Sequence, residues 1–219
     1  MHESITANLT IDALYKLYGD VECTLNFTSP FQLLVATILS AQCTDKKVNE
    51  VTPQLFELYG TPKKLAKAKL SDVERIIKPL GFYHTKSYNL IECAKKYLLL
   101  PDLSDLDAED IIKKLTTLNG VGRKTANLIA GEVYGVPAVV TDTHVIRITG
   151  RLGLTSNKTP EKIEQDLRKL IEPKKQLLFC HLLVAFGRDI CKSQNPKCGR
   201  CPLTVNCKHF ASIISPTSI

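Results

Sequence analysis

Residues Leu118–Asp142 read LNGVGRKTANLIAGEVYGVPAVVTD, and the fold is read outward from this stretch. It holds an apolar residue, the turn Gly120-Val121-Gly122, and a run of helical periodicity starting near Arg123. Two glycines around a small apolar residue permit a sharp turn with positive φ and let another backbone come close. The first amides of the helix behind such a turn have no partner inside the helix and lie at the positive end of its dipole. That arrangement suits an anion, and a DNA phosphate is one. Lys124 falls on the first turn of this helix, and Asp142 immediately precedes the next predicted helix. An amine and a carboxylate thus flank a phosphate-binding turn. Gly-Val-Gly taken alone reads equally well as an ordinary tight connection between packed helices.

Helical punctuation recurs on both sides, with no run of alternating strand residues. The nearly all-apolar segment at 31–39, FQLLVATIL, predicts a buried helix. Thr44 is a candidate cap for the next, which places Val48, Val51, Leu55 and Leu58 on one face. Thr61-Pro62 reads as cap plus first helical residue, and Ser71 to Glu74 as a capping box. Further helices are expected from about Thr85 to Leu99, after Asp107, over 143–152, after Thr159-Pro160, and from about Lys174 to Arg188. The expectation is an all-α protein of roughly ten helices joined by short loops.

Composition is that of an ordinary globular chain: 219 residues, 44% hydrophobic and 23% charged. The formal net charge of +7, from 29 Lys+Arg against 22 Asp+Glu, fits a polyanionic partner and is shared by many soluble proteins. The opening MHESITANLT has neither a basic start nor an apolar core, so no secretory signal is read there. The longest apolar runs, LLVATILSA and LLFCHLLVAF, are too short to span a bilayer, and no membrane association is expected. The reading is a cytoplasmic, nucleoid-associated chain, or a nuclear or mitochondrial one in a eukaryotic source.

Eight cysteines in a reducing compartment are not read as disulfides. Cys23, Cys43, Cys93 and Cys180 stand singly among apolar residues, as small buried hydrophobes do. Cys191, Cys198, Cys201 and Cys207 form the pattern C-x6-C-x2-C-x5-C, a dense thiolate-only donor set. Such soft ligation suits an iron–sulfur cluster or zinc, and spacing alone leaves both open. Arg188, Lys192, Lys197, Arg200 and Lys208 surround it.

Taken together, L-x-G-V-G-x-K-T-A from Leu118, V-x-D-T-H from Val140 and the cysteine pattern resemble the endonuclease III family of helix-hairpin-helix DNA glycosylases. The resemblance runs from about Phe31 to Cys207. It implies a two-lobed fold: residues 23–136 as a six-helix domain containing the hairpin, and residues 1–22 plus 137–219 as an iron–sulfur domain with a C-terminal cluster loop. It also implies one 4Fe-4S cluster on Cys191, Cys198, Cys201 and Cys207. The cluster would staple a loop with little core of its own and present Lys192 to phosphates.

Carried onto this chain, the family's catalytic pair is Lys124 and Asp142. The positive dipole end of the helix favours the unprotonated, nucleophilic form of an amine placed there. Asp142 reads as the N-cap of the helix starting at Thr143 and, on the resemblance, also stabilises positive charge developing on the sugar. The DNA contacts implied are the hairpin residues Gly120, Val121, Gly122 and Arg123, with Lys192, His144, and the gap-filling residues Gln42 and Phe82. A base taken out of the stack leaves a space that such residues occupy. Relatives often carry a leucine where Phe82 stands, a proline where Asn119 stands, and a carboxylate near Thr116 and Thr117.

The resulting expectation is a bifunctional base-excision glycosylase and abasic-site lyase for oxidised pyrimidines, a monomer acting on double-stranded DNA with damaged bases or abasic sites. Two competitors are an adenine-specific mismatch glycosylase of the same superfamily and a non-catalytic hairpin module that only binds DNA. The first typically lacks the lysine and carries a catalytic glutamate in a Q-Q-T motif, where this chain has AQCTD. The second leaves the match of Lys124 and Asp142 as coincidence.

Overall fold

The structure is a computed structural model and describes residues 2–214. Among these residues the chain is helical throughout, with twelve α-helices, four short 3-10 turns and no strand. No helix among the described residues is long and apolar enough to cross a membrane. The chain divides into two compact units, residues 23–136 and residues 1–22 with 137–219. Positions 1 and 215–219 of the expected second domain lie outside the described residues.

The 23–136 unit holds α2 (Pro30–Leu39), α3 (Asp45–Tyr59), α4 (Pro62–Leu65), α5 (Leu70–Ile77), α6 (Tyr83–Tyr97), α7 (Ala108–Thr116) and α8 (Arg123–Tyr134). Its core is built around α2, eight of whose ten residues are buried, as the apolar run predicts. Leu33, Leu34 and Leu39 meet Leu55 of α3, Leu65, Ile77, Leu90 of α6, and Ile111 and Ile112 of α7 in one continuous cluster. Each is fully or almost fully buried, so truncating any of these leucines to alanine costs about 2–5 kcal/mol. Caps fix where the helices begin: Ser29, Thr44, Thr61 and Asp107 accept from Gln32, Lys47, Lys64 and Asp110 main-chain N–H groups.

Two expectations are corrected here. The capping box at Ser71 does not form, because α5 starts earlier, with Lys69 as an N-cap that makes no side-chain bond. Burial of Val73, Ile76 and Ile77 sets that helix. Leu58 is 50% exposed rather than on the buried face of α3. At 3.6 residues per turn the stripe through Val48, Val51 and Leu55 has rotated past it.

The second unit combines α1 (His2–Tyr18) with α9 (Thr143–Leu152), α10 (Pro160–Leu170), α11 (Gln176–Asp189) and α12 (Lys208–Ile214). Helix α1 packs against α11 and α10. There Tyr18 Oη donates to Asp189 Oδ2 at 3.2 Å, and Ser4 Oγ donates to the Leu170 carbonyl at 3.5 Å. The core contains Leu14, Val145, Ile148, Leu167, Phe179, Leu183 and Phe186, all essentially inaccessible. Helix α12 follows Cys207 directly and packs on α9.

Candidate active site, wedge loops and cysteine loop

The hairpin joins α7 to α8. Leu118 and Val121 are both buried, and the Val121 N–H donates to the Leu118 carbonyl at 3.2 Å, closing the turn on an apolar anchor. Gly120 has φ +76°, and a Cβ there would stand 3.3 Å from Asn89 Cβ and from Ile38 Cγ2. Conformation and space both require glycine. Gly122 is the N-cap of α8, with extended backbone and no side chain to offer, and nothing lies within 4 Å of where its Cβ would be. The start of α7 is capped by its own aspartate, whereas Gly122 gives the start of α8 no side-chain cap bond.

Lys124 is exposed on the first turn of α8. The neighbouring Arg123 guanidinium is held in a fork by Glu109, each nitrogen 3.1 Å from one carboxylate oxygen. Both partners are substantially exposed, so the pair contributes about 1 kcal/mol or less.

In the second unit, residues Ala138, Val139, Val140 and Thr141 run buried into Asp142, and the Val140 N–H donates to Cys180 Sγ at 3.3 Å. Burial pushes the Cys180 thiol up to about 12, so it acts as a neutral core group. Asp142 ends this anchored segment as the N-cap of α9. Its Oδ1 accepts from the Val145 N–H at 2.7 Å, leaving Oδ2 outside the cap bond. Two residues on, half-buried His144 places Nδ1 3.1 Å from Arg147 Nη2. Gly187 makes room for both, since a Cβ there would fall 2.4 Å from His144 Nδ1 and 2.8 Å from Arg147 Nη2.

Gln42 and Phe82 share an unusual backbone state. Among the described residues only three non-glycine residues have positive φ: Gln42 at 55°, Phe82 at 48° and Asn195 at 48°. A left-handed non-glycine residue costs about 1–3 kcal/mol and persists only where its surroundings over-determine it. Gln42 is exposed after α2, and Phe82, 66% exposed, stands as the N-cap of α6 behind Gly81. An aromatic ring held out in water by a strained backbone is not a core residue.

The four C-terminal cysteines line one cavity, together with Arg151 and apolar walls that include Ile148, Leu152, Phe186 and Leu203. Burial pushes the Cys201 thiol up, and its neighbours Cys191, Cys207 and Cys198 push the same way. Four thiols that feel one another in an apolar pocket are a donor set calling for a cationic centre. No three Cys, His, Asp or Glu side chains among the described residues close on one point as ligands of a single ion.

Sequence reading did not single out the residues that tie this loop to α9. Arg147 Nε and Nη2 donate to the Cys191 carbonyl at 3.3 and 2.9 Å. Arg151 donates to Cys191 Sγ at 3.3 Å, to the Lys192 carbonyl at 2.7 Å and to the Ser193 carbonyl at 3.0 Å. Two arginines one helical turn apart, downstream of the Asp142 cap, were the available signal. The Lys192 side chain is exposed, whereas Lys197 reaches Asp189 at 3.5 Å.

The model of the HhH-GPD superfamily of base excision DNA repair proteins matches residues 35–173. Endonuclease III of Synechocystis sp. is 42% identical over 195 residues, covering 89% of this chain and 88% of that protein. Among solved structures, a non-covalent endonuclease III–DNA complex superposes with a TM-score of 0.87 at 34% identity, covering 96% of this chain and 98% of that one. A trapped endonuclease III–DNA covalent intermediate gives 0.86 at 35% identity over the same shares. The chain belongs to this superfamily and, within it, to the endonuclease III family.

Proposed function

We propose that Lys124 is the nucleophile and Asp142 the assisting carboxylate of a DNA glycosylase and abasic-site lyase that removes oxidised pyrimidines from double-stranded DNA. The observation carrying this reading is Lys124 itself, exposed on the first turn of a helix to whose start Gly122 gives no side-chain cap bond. The hairpin amides, with the main-chain N–H of Arg123 among them, take a phosphate while the Arg123 side chain stays with Glu109. Lys124 Nζ attacks the sugar C1′, and the glycosidic bond breaks with its electron pair leaving on the base. Asp142 Oδ2 stabilises the positive charge that develops on the sugar and takes a proton from the amine. The sugar ring then opens: the C1′–O4′ bond breaks, O4′ takes up a proton, and the iminium left between C1′ and the Lys124 nitrogen acidifies C2′. Loss of the C2′ proton expels the 3′ phosphate, and water then releases the lysine.

Gln42 and Phe82 fill the space vacated by the displaced base, and His144 adds a contact to the strand. Cys191, Cys198, Cys201 and Cys207 would hold a 4Fe-4S cluster. When bound, it supplies a rigid cationic centre that fixes the loop carrying Lys192. Nicking of a thymine-glycol duplex tests the whole reading: release of the lesion without nicking favours a lyase-free glycosylase, and binding without either favours a purely DNA-binding module.

Two further outcomes are expected. Gln42→Ala weakens binding to damaged duplex about tenfold and to undamaged duplex less than about threefold, measured by titration of fluorescent DNA. Equal losses on both would remove Gln42 from the role. Cys198→Ser yields protein without the broad blue-region absorbance of an iron–sulfur centre and with a lower melting temperature, whereas Cys93→Ser retains the absorbance. Buried Cys93, whose thiol burial pushes up to about 12, belongs to the other unit's core. One zinc and no sulfide in anaerobically purified protein would refute the assignment.

A further inference from the structure

Lys86 is a charged residue at 5% exposure, lying in the first turn and a half of α6. Its ammonium donates to two main-chain carbonyls, that of Leu39 at 3.0 Å and that of Leu80 at 3.1 Å. Leu39 is the last residue of α2, so its carbonyl is one of those a helix C-terminus leaves without a partner. Leu80 ends the 3-10 turn that runs into Gly81 and Phe82. Each carbonyl is the root of a short loop, and each loop presents an exposed residue in the left-handed state, Gln42 in one and Phe82 in the other. The Lys86 main-chain N–H donates in addition to the Phe82 carbonyl at 3.0 Å. One side chain therefore cross-links the bases of both loops that carry the candidate wedge residues.

Pairing the Leu39 and Leu80 carbonyls offsets part of the cost of burying an ammonium, since an apolar chain of the same length would leave both without this donor. Burial holds the Lys86 ammonium below the usual lysine range, while Cys43, next to Gln42, pulls it back. What a three-donor cation offers that an apolar chain cannot is a fixed spacing between two backbone segments.

We infer that Lys86 is a positioning residue for damage recognition: it locks the Gln42 and Phe82 loops in register so that both side chains enter the DNA as one preformed wedge. This rests on the reading of Gln42 and Phe82 as wedge residues. Preorganisation of this kind spares the ordering cost at the moment of binding, and its effect falls on damaged DNA, where the wedge is inserted.

The test compares affinities of the full-length protein for a duplex carrying a tetrahydrofuran abasic-site analogue and for the undamaged duplex, giving a discrimination ratio. Lys86→Met is expected to lower that ratio about tenfold while changing undamaged binding less than about threefold. In a Gln42→Ala/Phe82→Ala background, adding Lys86→Met is expected to change the ratio by less than about twofold, because the segments it aligns no longer carry the wedge. Lys86→Gln, which keeps one donor group, is expected to fall between wild type and Lys86→Met, and serves under the same criteria should Lys86→Met not fold. A wild-type ratio in the Lys86 variants, or a loss that adds in full to that of the Gln42/Phe82 variant, overturns the positioning role alone. Full discrimination in Gln42→Ala/Phe82→Ala overturns the wedge reading and the positioning role with it.

Discussion

Borohydride added while the protein processes lesion-containing DNA is expected to leave protein and DNA covalently joined, and with Lys124→Ala in place to leave them apart. Borohydride reduces an imine to a stable amine, so the trapped species reports which side-chain nitrogen had reached C1′. Lys124→Gln is the sharper variant, since it keeps length and hydrogen bonding and lacks only the nucleophilic amine. It should bind damaged duplex near normally, trap nothing, and nick slower by on the order of 10⁴-fold or more. Lys124 is exposed and α8 begins at Arg123, so neither change disturbs a packed surface. Normal trapping by Lys124→Gln would assign the chemistry to another amine and end the reading of the hairpin helix as catalytic.

The second large effect is expected at Asp142. Asparagine caps a helix about as well as aspartate, so Asp142→Asn should keep the bond to the Val145 N–H and cost about 0.5–1 kcal/mol, the part owed to the lost charge at the helix start. The reaction should nonetheless slow by on the order of 10³-fold, because a neutral amide cannot stabilise charge growing on the sugar. Single-turnover rates at saturating protein, beside a thermal melt, separate the two effects. A rate within about threefold of wild type would confine Asp142 to its capping role.

Much of this was legible because it rests on local chemistry. Thr44, Thr61, Asp107 and Asp142 announce helix starts through side-chain bonds made to amides three residues away, and all four form. Gly120 was equally legible, since a positive φ leaves its mark on residue type, whereas Gly122 is extended and open to other residues by backbone alone. Ser71 shows the limit: its pattern is that of a capping box, yet packing of Val73, Ile76 and Ile77 starts the helix earlier. The left-handed state of Gln42 and Phe82 leaves no such mark, because neither residue type belongs there by preference. Lys86 was illegible for a different reason. Within TKSYNLIECAKKY it reads as a solvated helix lysine, and its partners are main-chain carbonyls, which no residue pattern advertises.

The two-segment make-up of the second unit bears on how the chain is made. Helix α1 leaves the ribosome ahead of the whole 23–136 unit, yet its partners α10 and α11 come after it. The Tyr18–Asp189 bond spans 171 positions and the Ser4–Leu170 bond 166. Contacts so distant along the chain form late in folding. The hairpin-bearing unit is complete in one continuous stretch and can fold as soon as Val136 has emerged. During translation, the lysine-bearing half can therefore assemble while Asp142 is still inside the ribosome and before the cysteine loop has emerged, whereas the core face of α1, with Ala7, Ile11 and Leu14, gains its α11 partner only later.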